Sequence, residues 1–290
     1  MSVLCLIANP ADPALDAKLV AAIQHETGGE INWLHQRVAC EIIAPTAADP
    51  VPMARALVTG KPVDVALVPA SNRRKKVLVA DMDSTMIDQE CIDEIADAVG
   101  IKAEVAAITQ RAMNGELDFA EALRTRVGLI KGLERRVVEE IRRERITLAA
   151  GGRALIQTMK THGAYCSMVS GGFTYFADYF GKRIGFDEAI ANVLDFDGDR
   201  LSGIVLDPIV DKTTKLTRLQ TLAKEHAFDM SDTMAVGDGA NDLDMIKAAG
   251  LGVALHAKPF VAAQATVQID HGDLTALLYL QGYEDDDFVR

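Results

Sequence analysis

Val77-Leu78-Val79-Ala80-Asp81-Met82-Asp83-Ser84-Thr85 is the stretch on which the reading of this chain turns. Four consecutive apolar residues suit a strand covered on both faces, the usual environment of a parallel sheet. Two carboxylates spaced i, i+2 follow at once. In open α/β sheets ligands bind beyond the carboxyl ends of the strands, so Asp81 and Asp83 stand where a substrate atom would be met. Neighbouring acids repel unless a proton or a cation is present. A carboxylate nucleophile at Asp81, a general acid/base at Asp83 and a bound metal satisfy that constraint together. Taken alone, the stretch also reads as a helix-capping Asp-x-Asp-Ser-Thr loop.

Downstream, strands expected at 164–169, 233–236 and 252–254 alternate with helices starting at Phe173 and Leu243, which predicts a doubly wound parallel sheet. Residues 90–145 are helical in pattern and form an insertion after the first core strand, a cap over about 90–148. Residues 192–206 read as a hairpin about Asp197-Gly198. The acidic string there is not an EF-hand, because Arg200 and Leu206 occupy the positions that need Gly and Glu. Upstream, a strand at 3–8, a helix at 14–26, one extended stretch at 31–43, a short helix at 52–58 and a strand at 63–68 make a small α+β unit over residues 1–72. Arg73, Arg74, Lys75 and Lys76 read as a solvated linker at the boundary with the larger unit, 73–290.

Three further motifs add to Asp81 and Asp83. Val236-Gly237-Asp238-Gly239-Ala240-Asn241-Asp242 follows another apolar strand. Its glycines permit close backbone approach and its acids are hard oxygen ligands for Mg²⁺. A dication there cancels the repulsion between a carboxylate nucleophile and a phosphate dianion. Val169-Ser170-Gly171-Gly172, at a strand-to-helix junction, offers a hydroxyl and backbone N–H groups as a phosphate cradle. A lysine in Asp211-Lys212-Thr213-Thr214-Lys215, just before a helix, can neutralise developing charge on phosphoryl oxygens.

In chain order these four motifs resemble the signature motifs of the haloacid dehalogenase superfamily over roughly residues 75–275. The resemblance implies a Rossmann-like core, Mg²⁺ and an aspartyl-phosphate intermediate. It puts the nucleophile at Asp81, the acid/base at Asp83, phosphate contacts at Ser170 and Gly171, the charge role at Lys215 and the metal at Asp81, Asp83 and Asp238, with Asn241 among the substrate contacts. Asp83, where ATP-driven pumps of the superfamily lack the acid, points to a phosphatase. More narrowly, Glu90-Cys91-Ile92-Asp93-Glu94-Ile95-Ala96, Gly115-Glu116-Leu117-Asp118-Phe119 and Leu123-Arg124-Thr125-Arg126-Val127 resemble the phosphoserine phosphatases. That implies Glu90 for a substrate ammonium, Arg126 for its carboxylate and Phe119 closing over it. The implied reaction is hydrolysis of O-phospho-L-serine to L-serine and phosphate, the last step of serine biosynthesis. Residues 1–72 resemble the ACT-like unit often attached to such enzymes, with a ferredoxin-like sandwich and a role in homodimer formation or serine sensing as the expectation.

Physical chemistry supports the cap assignment. Phe119 and Arg126 are two helical turns apart and share a face, and arginine suits bidentate carboxylate recognition. Without the resemblance, Glu90 and Arg126 read as surface helix charges. Lys212 rivals Lys215; Asp242 ligates metal through water or orients the lysine; Asp244 has no assigned role; Met113 is a candidate pocket-lining residue. Other chemistry is disfavoured. None of the cysteines Cys5, Cys40, Cys91 and Cys166 has an arginine six residues on, as a cysteine phosphatase needs, and the six histidines are dispersed. A net charge of −12 repels nucleic acid and anionic membranes. No signal peptide or membrane span is read, so a cytoplasmic protein with reduced thiols is expected. Phosphohomoserine as substrate, phosphotransfer and an amino-acid-binding pseudoenzyme are the competing readings.

Overall fold

The computed structural model describes residues 1–113 and 116–290, with the side chains of residues 112 and 113 excepted, so the Met113 expectation and Gly115 of the quoted cap motif lie outside it. The N-terminal unit runs β1 (Ser2–Ala8), α1 (Ala17–Thr27), β2 (Glu30–His35), β3 (Ala39–Ile43), α2 (Pro50–Leu57) and β4 (Val63–Pro69). Its antiparallel sheet has the order β2-β3-β1-β4, the ferredoxin-like arrangement. Asp16 starts α1 by accepting from Leu19 N–H at 2.8 Å. The extended stretch expected at 31–43 is two strands, turned at Arg37 with φ 65°. No Gly, Pro or Asn-Gly marks that turn, so the apolar pattern runs through it unbroken.

From Val3 onward strand β1 is apolar, and both its faces are buried. Leu4 and Leu6 pack with Leu19 and Ile23 beneath the helices. Val3, Cys5 and Ile7 face the core of the larger unit. There the chain continues as β5 (Val77–Ala80), the cap helices α3 (Cys91–Ala98), α4 (Lys102–Met113), α5 (Phe119–Leu129) and α6 (Arg135–Glu144), and then α7 (Gly152–Thr161). It proceeds through β6 (Tyr165–Phe173), α8 (Thr174–Ile184), the hairpin β7 (Glu188–Asp197) and β8 (Arg200–Leu206), and α9 (Lys212–Glu225). The last elements are β9 (Thr233–Gly237), α10 (Leu243–Ala248), β10 (Leu251–Leu255), α11 (Pro259–Ala262), β11 (Val267–Ile269) and α12 (Ala276–Leu280). The seven strands order as β11-β10-β9-β5-β6-β7-β8, parallel except for the β7–β8 hairpin.

Strand β5 alternates Val77 and Val79 into one helix layer with Leu78 and Ala80 into the other, as a doubly covered strand must. It lies between β6 and β9, so the loops after all three converge at the point where strand order reverses, where α/β sheets bind ligands. The cap leaves and re-enters through a short stem: Ile87 bridges Leu148, and Asp88 N–H donates to Thr147 O at 3.1 Å.

The basic tetrad differs from the solvated linker expected. The Arg73 guanidinium pairs with Glu41 of β3 and donates to Tyr279 O and Leu280 O at 3.2 and 3.1 Å. Lys75 is buried, its ammonium donating to Asn72 O at 2.7 Å and Ser231 O at 2.6 Å. Arg74 covers the Tyr283 ring at 4.2 Å. The cluster clamps the two units together instead of separating them. Removing one partner of a buried pair strands the other charge. Arg73→Ala should therefore lower unfolding stability by about 3 kcal/mol or more, read by urea denaturation; a loss below about 1 kcal/mol, the value of an exposed pair, would refute the clamp.

Candidate active site

Asp81 directly follows β5, Asp238 directly follows β9, and Ser170 lies near the end of β6, before α8; backbone topology alone brings them together. The carboxylates of Asp81, Asp238 and Asp242 offer oxygens within 4.8 Å of one another, all buried. Lys215, fully buried, places its ammonium 2.7 Å from Asp81 Oδ1 and 2.6 Å from Asp242 Oδ1. A capping box sets the phase of α9: Thr214 N–H donates to Asp211 Oδ1 at 3.0 Å, and Asp211 N–H donates to Thr214 Oγ1 at 3.3 Å. In that phase Lys215 points inward and Lys212 is exposed, which decides between them.

Asp242 has both oxygens engaged, by Lys215 and by Gly239 N–H at 3.0 Å, so it orients the lysine and closes the loop. Gly237 has to be glycine, since a Cβ there would lie 2.3 Å from Asp242 Cγ. Asp244 is exposed. Asp81 Oδ1 takes Lys215 and Met82 N–H, while among the described residues Oδ2 accepts no hydrogen bond and remains available for chemistry. Thr85, which sequence reasoning left unassigned, sets its hydroxyl 3.4 Å from Asp238 Oδ1.

Asp83 stands apart from the three-carboxylate group. Its Oδ1 accepts Cys91 N–H at 3.0 Å from the start of α3, and its Oδ2 lies 3.4 Å from the Ser170 hydroxyl. A Cβ on Gly172 would sit 2.5 Å from that Oδ2, so glycine is what allows the approach. Gly172 N–H donates to Ser170 Oγ at 2.9 Å, and Asn192 holds Gly171 O at 2.8 Å.

Four buried carboxylates, Asp81, Asp83, Asp238 and Asp242, face one buried ammonium, an excess of negative charge. Burial first and Asp242 second raise Asp81 well above the usual carboxylate range, against the pull of Lys215. Burial and then Glu90 push Asp83 up to about 7, and burial and then Asp242 push Asp238 to about 7. Burial works against the charge of Lys215, but Asp242 and Asp81 prevail and hold it above the ordinary lysine value. A compact set of hard oxygen donors in this state fits a divalent cation.

A cleft of about 330 Å³ opens over these groups, sized for a small ligand. Glu90, Phe119 and Arg126 line it from the cap side, as Ser170, Gly171 and Asn241 do from the core. Glu90 precedes α3 without capping it, its carboxylate taking the Ser84 hydroxyl at 2.8 Å instead. Ser84 itself has φ 54°, the left-handed turn that sends the chain from Asp83 toward the cap. Arg126 is half-buried, and burial lowers its pKa although Asp93, Glu90 and Asp83 oppose that shift. The Phe119 ring rests on the cradle, its Cζ 3.0 Å from where a Gly171 Cβ would be. Lys258 also lines the cleft. It lies beyond every recognised motif, and only the sheet order brings it in.

The haloacid dehalogenase-like hydrolase family model matches residues 78–247. A phosphoserine phosphatase of Haemophilus influenzae is 45% identical over 225 residues, covering 77% of this chain and 71% of its own. The unliganded structure of a probable phosphoserine phosphatase from Vibrio cholerae superposes with a TM-score of 0.81 at 32% identity, over 97% of this chain and 86% of that one. A phosphoserine phosphatase solved as a phospho-aspartyl intermediate analogue matches at 39% identity and a TM-score of 0.66, over 71% of this chain and 98% of its own. The four motifs, the sheet that gathers them and these likenesses agree: the chain belongs to the haloacid dehalogenase-like hydrolases, and within them to the phosphoserine phosphatase family.

Proposed function

We propose that the chain hydrolyses O-phospho-L-serine to L-serine and phosphate, with residues 73–290 as the catalytic unit and Asp81 as nucleophile. The observation that carries this is the Asp81 carboxylate, pinned through Oδ1 by Lys215 in a residue that lines the cleft, with no hydrogen bond to Oδ2 among the described residues. Asp81 Oδ2 attacks phosphorus, and the bond to the serine oxygen breaks. Asp83, raised to about 7 and outside the carboxylate cluster, gives its proton to that leaving oxygen. It then takes a proton from the water that attacks the aspartyl phosphate, which regenerates Asp81 and releases phosphate. Ser170 and the Gly171 N–H hold the phosphoryl oxygens, with the Gly172 N–H fixing the Ser170 hydroxyl, and Lys215 balances their charge.

Asp81 and Asp238 are the residues that would hold Mg²⁺, with Asp242 close by to keep Lys215 in line. When bound, the ion supplies charge cancellation between the carboxylate and the phosphate dianion. The Asp83 side chain, engaged by Cys91 and Ser170, is kept for proton transfer. Glu90 receives the substrate ammonium and Arg126 its carboxylate, while Phe119 excludes water and Asn241 borders the phosphate. The N-terminal unit is assigned to homodimer formation, since it exposes Ile31, Met53 and Leu57; a single monomeric species in sedimentation across a concentration series would remove that assignment.

Asp81→Asn should reduce turnover of O-phosphoserine by on the order of 10⁴-fold or more. Asp83→Asn should cost about 10²–10⁴-fold. Chelation should silence the wild type until Mg²⁺ is returned. Phosphate release by Asp81→Asn at the wild-type rate would end the nucleophile assignment. Arg126→Ala should raise KM for O-phosphoserine roughly tenfold to a hundredfold, the value of a charge-assisted hydrogen bond. Hydrolysis of a simple phosphate ester should change far less. An equal loss on both esters would sink the carboxylate role, and a panel including phosphohomoserine and phosphothreonine would identify the preferred side chain.

A further inference from the structure

Asp64 lies on β4 of the N-terminal unit and is 5% exposed. Its carboxylate accepts three consecutive backbone N–H groups of the loop after β11: Asp270 at 2.9 Å, His271 at 3.2 Å and Gly272 at 2.8 Å. Asn9, just after β1, adds a bond to His271 O at 3.0 Å. A buried carboxylate satisfied by backbone N–H groups from another unit is a strong, directional tie. Gly272 passes it on, because its carbonyl accepts from His256 Nε2 at 2.8 Å. A carbonyl only accepts, so this nitrogen carries the proton.

His256 follows β10 with φ 46°, a conformation that a non-glycine residue holds only when its surroundings impose it. Two bonds impose it: the ring to Gly272 O, and the His256 N–H to Ile269 O at 2.8 Å. Two residues on, Lys258 N–H donates to Asp238 O at 3.2 Å, and the Lys258 side chain lines the active cleft. Its charge also acts on Asp238. The path from Asp64 to the cleft therefore consists of hydrogen bonds and a short piece of chain, without a gap.

We propose that Asp64 of the N-terminal unit is a positioning residue for the active site, acting through the 270–272 loop and His256 to set Lys258 beside Asp238 as a contributor to phosphate binding. This rests on the proposed function for the meaning of the cleft, not for the connection itself. The N-terminal unit is then a mechanical part of the phosphate site. A change in how it docks reaches catalysis by way of Lys258.

The test is a double-mutant cycle on the full chain with Mg²⁺ present, reading inorganic phosphate affinity by calorimetry and kcat/KM for O-phosphoserine separately. Asp64→Ala should weaken both about fivefold or more in the wild-type background. In a Lys258→Ala background it should add less than about twofold. Asp64→Asn, which keeps one accepting oxygen, should recover part of the loss. His256→Phe removes the ring bond and leaves the docking of the two units intact, so it carries the same cycle should Asp64→Ala not fold. Equal losses in both backgrounds, or no loss in the first, would overturn the proposal. A wild type that binds phosphate without cleaving O-phosphoserine would instead count against the functional reading, with the binding cycle still deciding this one.

Discussion

Lys215 is the group on which the site depends. An ammonium with no exposure, 2.7 and 2.6 Å from two buried carboxylates, neutralises charge that the sheet would otherwise bring together at prohibitive cost. It also fixes geometry. By taking Oδ1 of Asp81 it leaves Oδ2 without a hydrogen bond among the described residues, and by taking Oδ1 of Asp242 it leaves Oδ2 to close the turn on Gly239. One cation still leaves the pocket short of positive charge. A divalent ion and a proton on Asp83, as in the proposed function, would each reduce that deficit.

The cleft closes from two directions. From below, glycines at 171, 172 and 237 remove Cβ atoms where Phe119, Asp83 and Asp242 need to approach. From above, the cap contributes Glu90, Phe119 and Arg126 on helices that share the apolar core of the sheet and are tied to the β7–β8 hairpin, as by Gly132 N–H to Leu201 O at 2.7 Å. Under the proposed function, the phosphate-facing groups belong to the sheet and the amino-acid-facing groups to the insertion.

Much of this was legible along the chain because it is local. Val77–Ala80 reads as a doubly buried strand from short-range pattern, and the acids after it read as a site once the motifs at 170–172, 211–215 and 236–242 are counted with them. The Glu90, Phe119 and Arg126 convergence was legible only with the family resemblance, since helix charges are common and nothing local marks these. Features that escaped depend on distant partners. The tetrad at 73–76 has the composition of a linker, and its burial comes from Glu41, Ser231 and the chain near Leu280. The turn at Arg37 carries no turn residue. Lys258 and Asn192 lie outside any motif and are recruited by sheet order, while the choice of Lys215 over Lys212 needed the phase that Asp211 and Thr214 impose on α9.

The narrow stem at Ile87 and Leu148 has a consequence for how such a protein changes over time. Because the insertion enters and leaves at one adjacent pair of residues, its length and sequence can change without re-routing the strands of the sheet. Variation between residues 90 and 148 can retune which alcohol is presented without disturbing the strand order that assembles the nucleophile, and a drift in the sheet would destroy activity for every ester alike. Preference and reactivity are thereby lodged in different lengths of chain, while the apolar core that the two share couples large changes in one to the other.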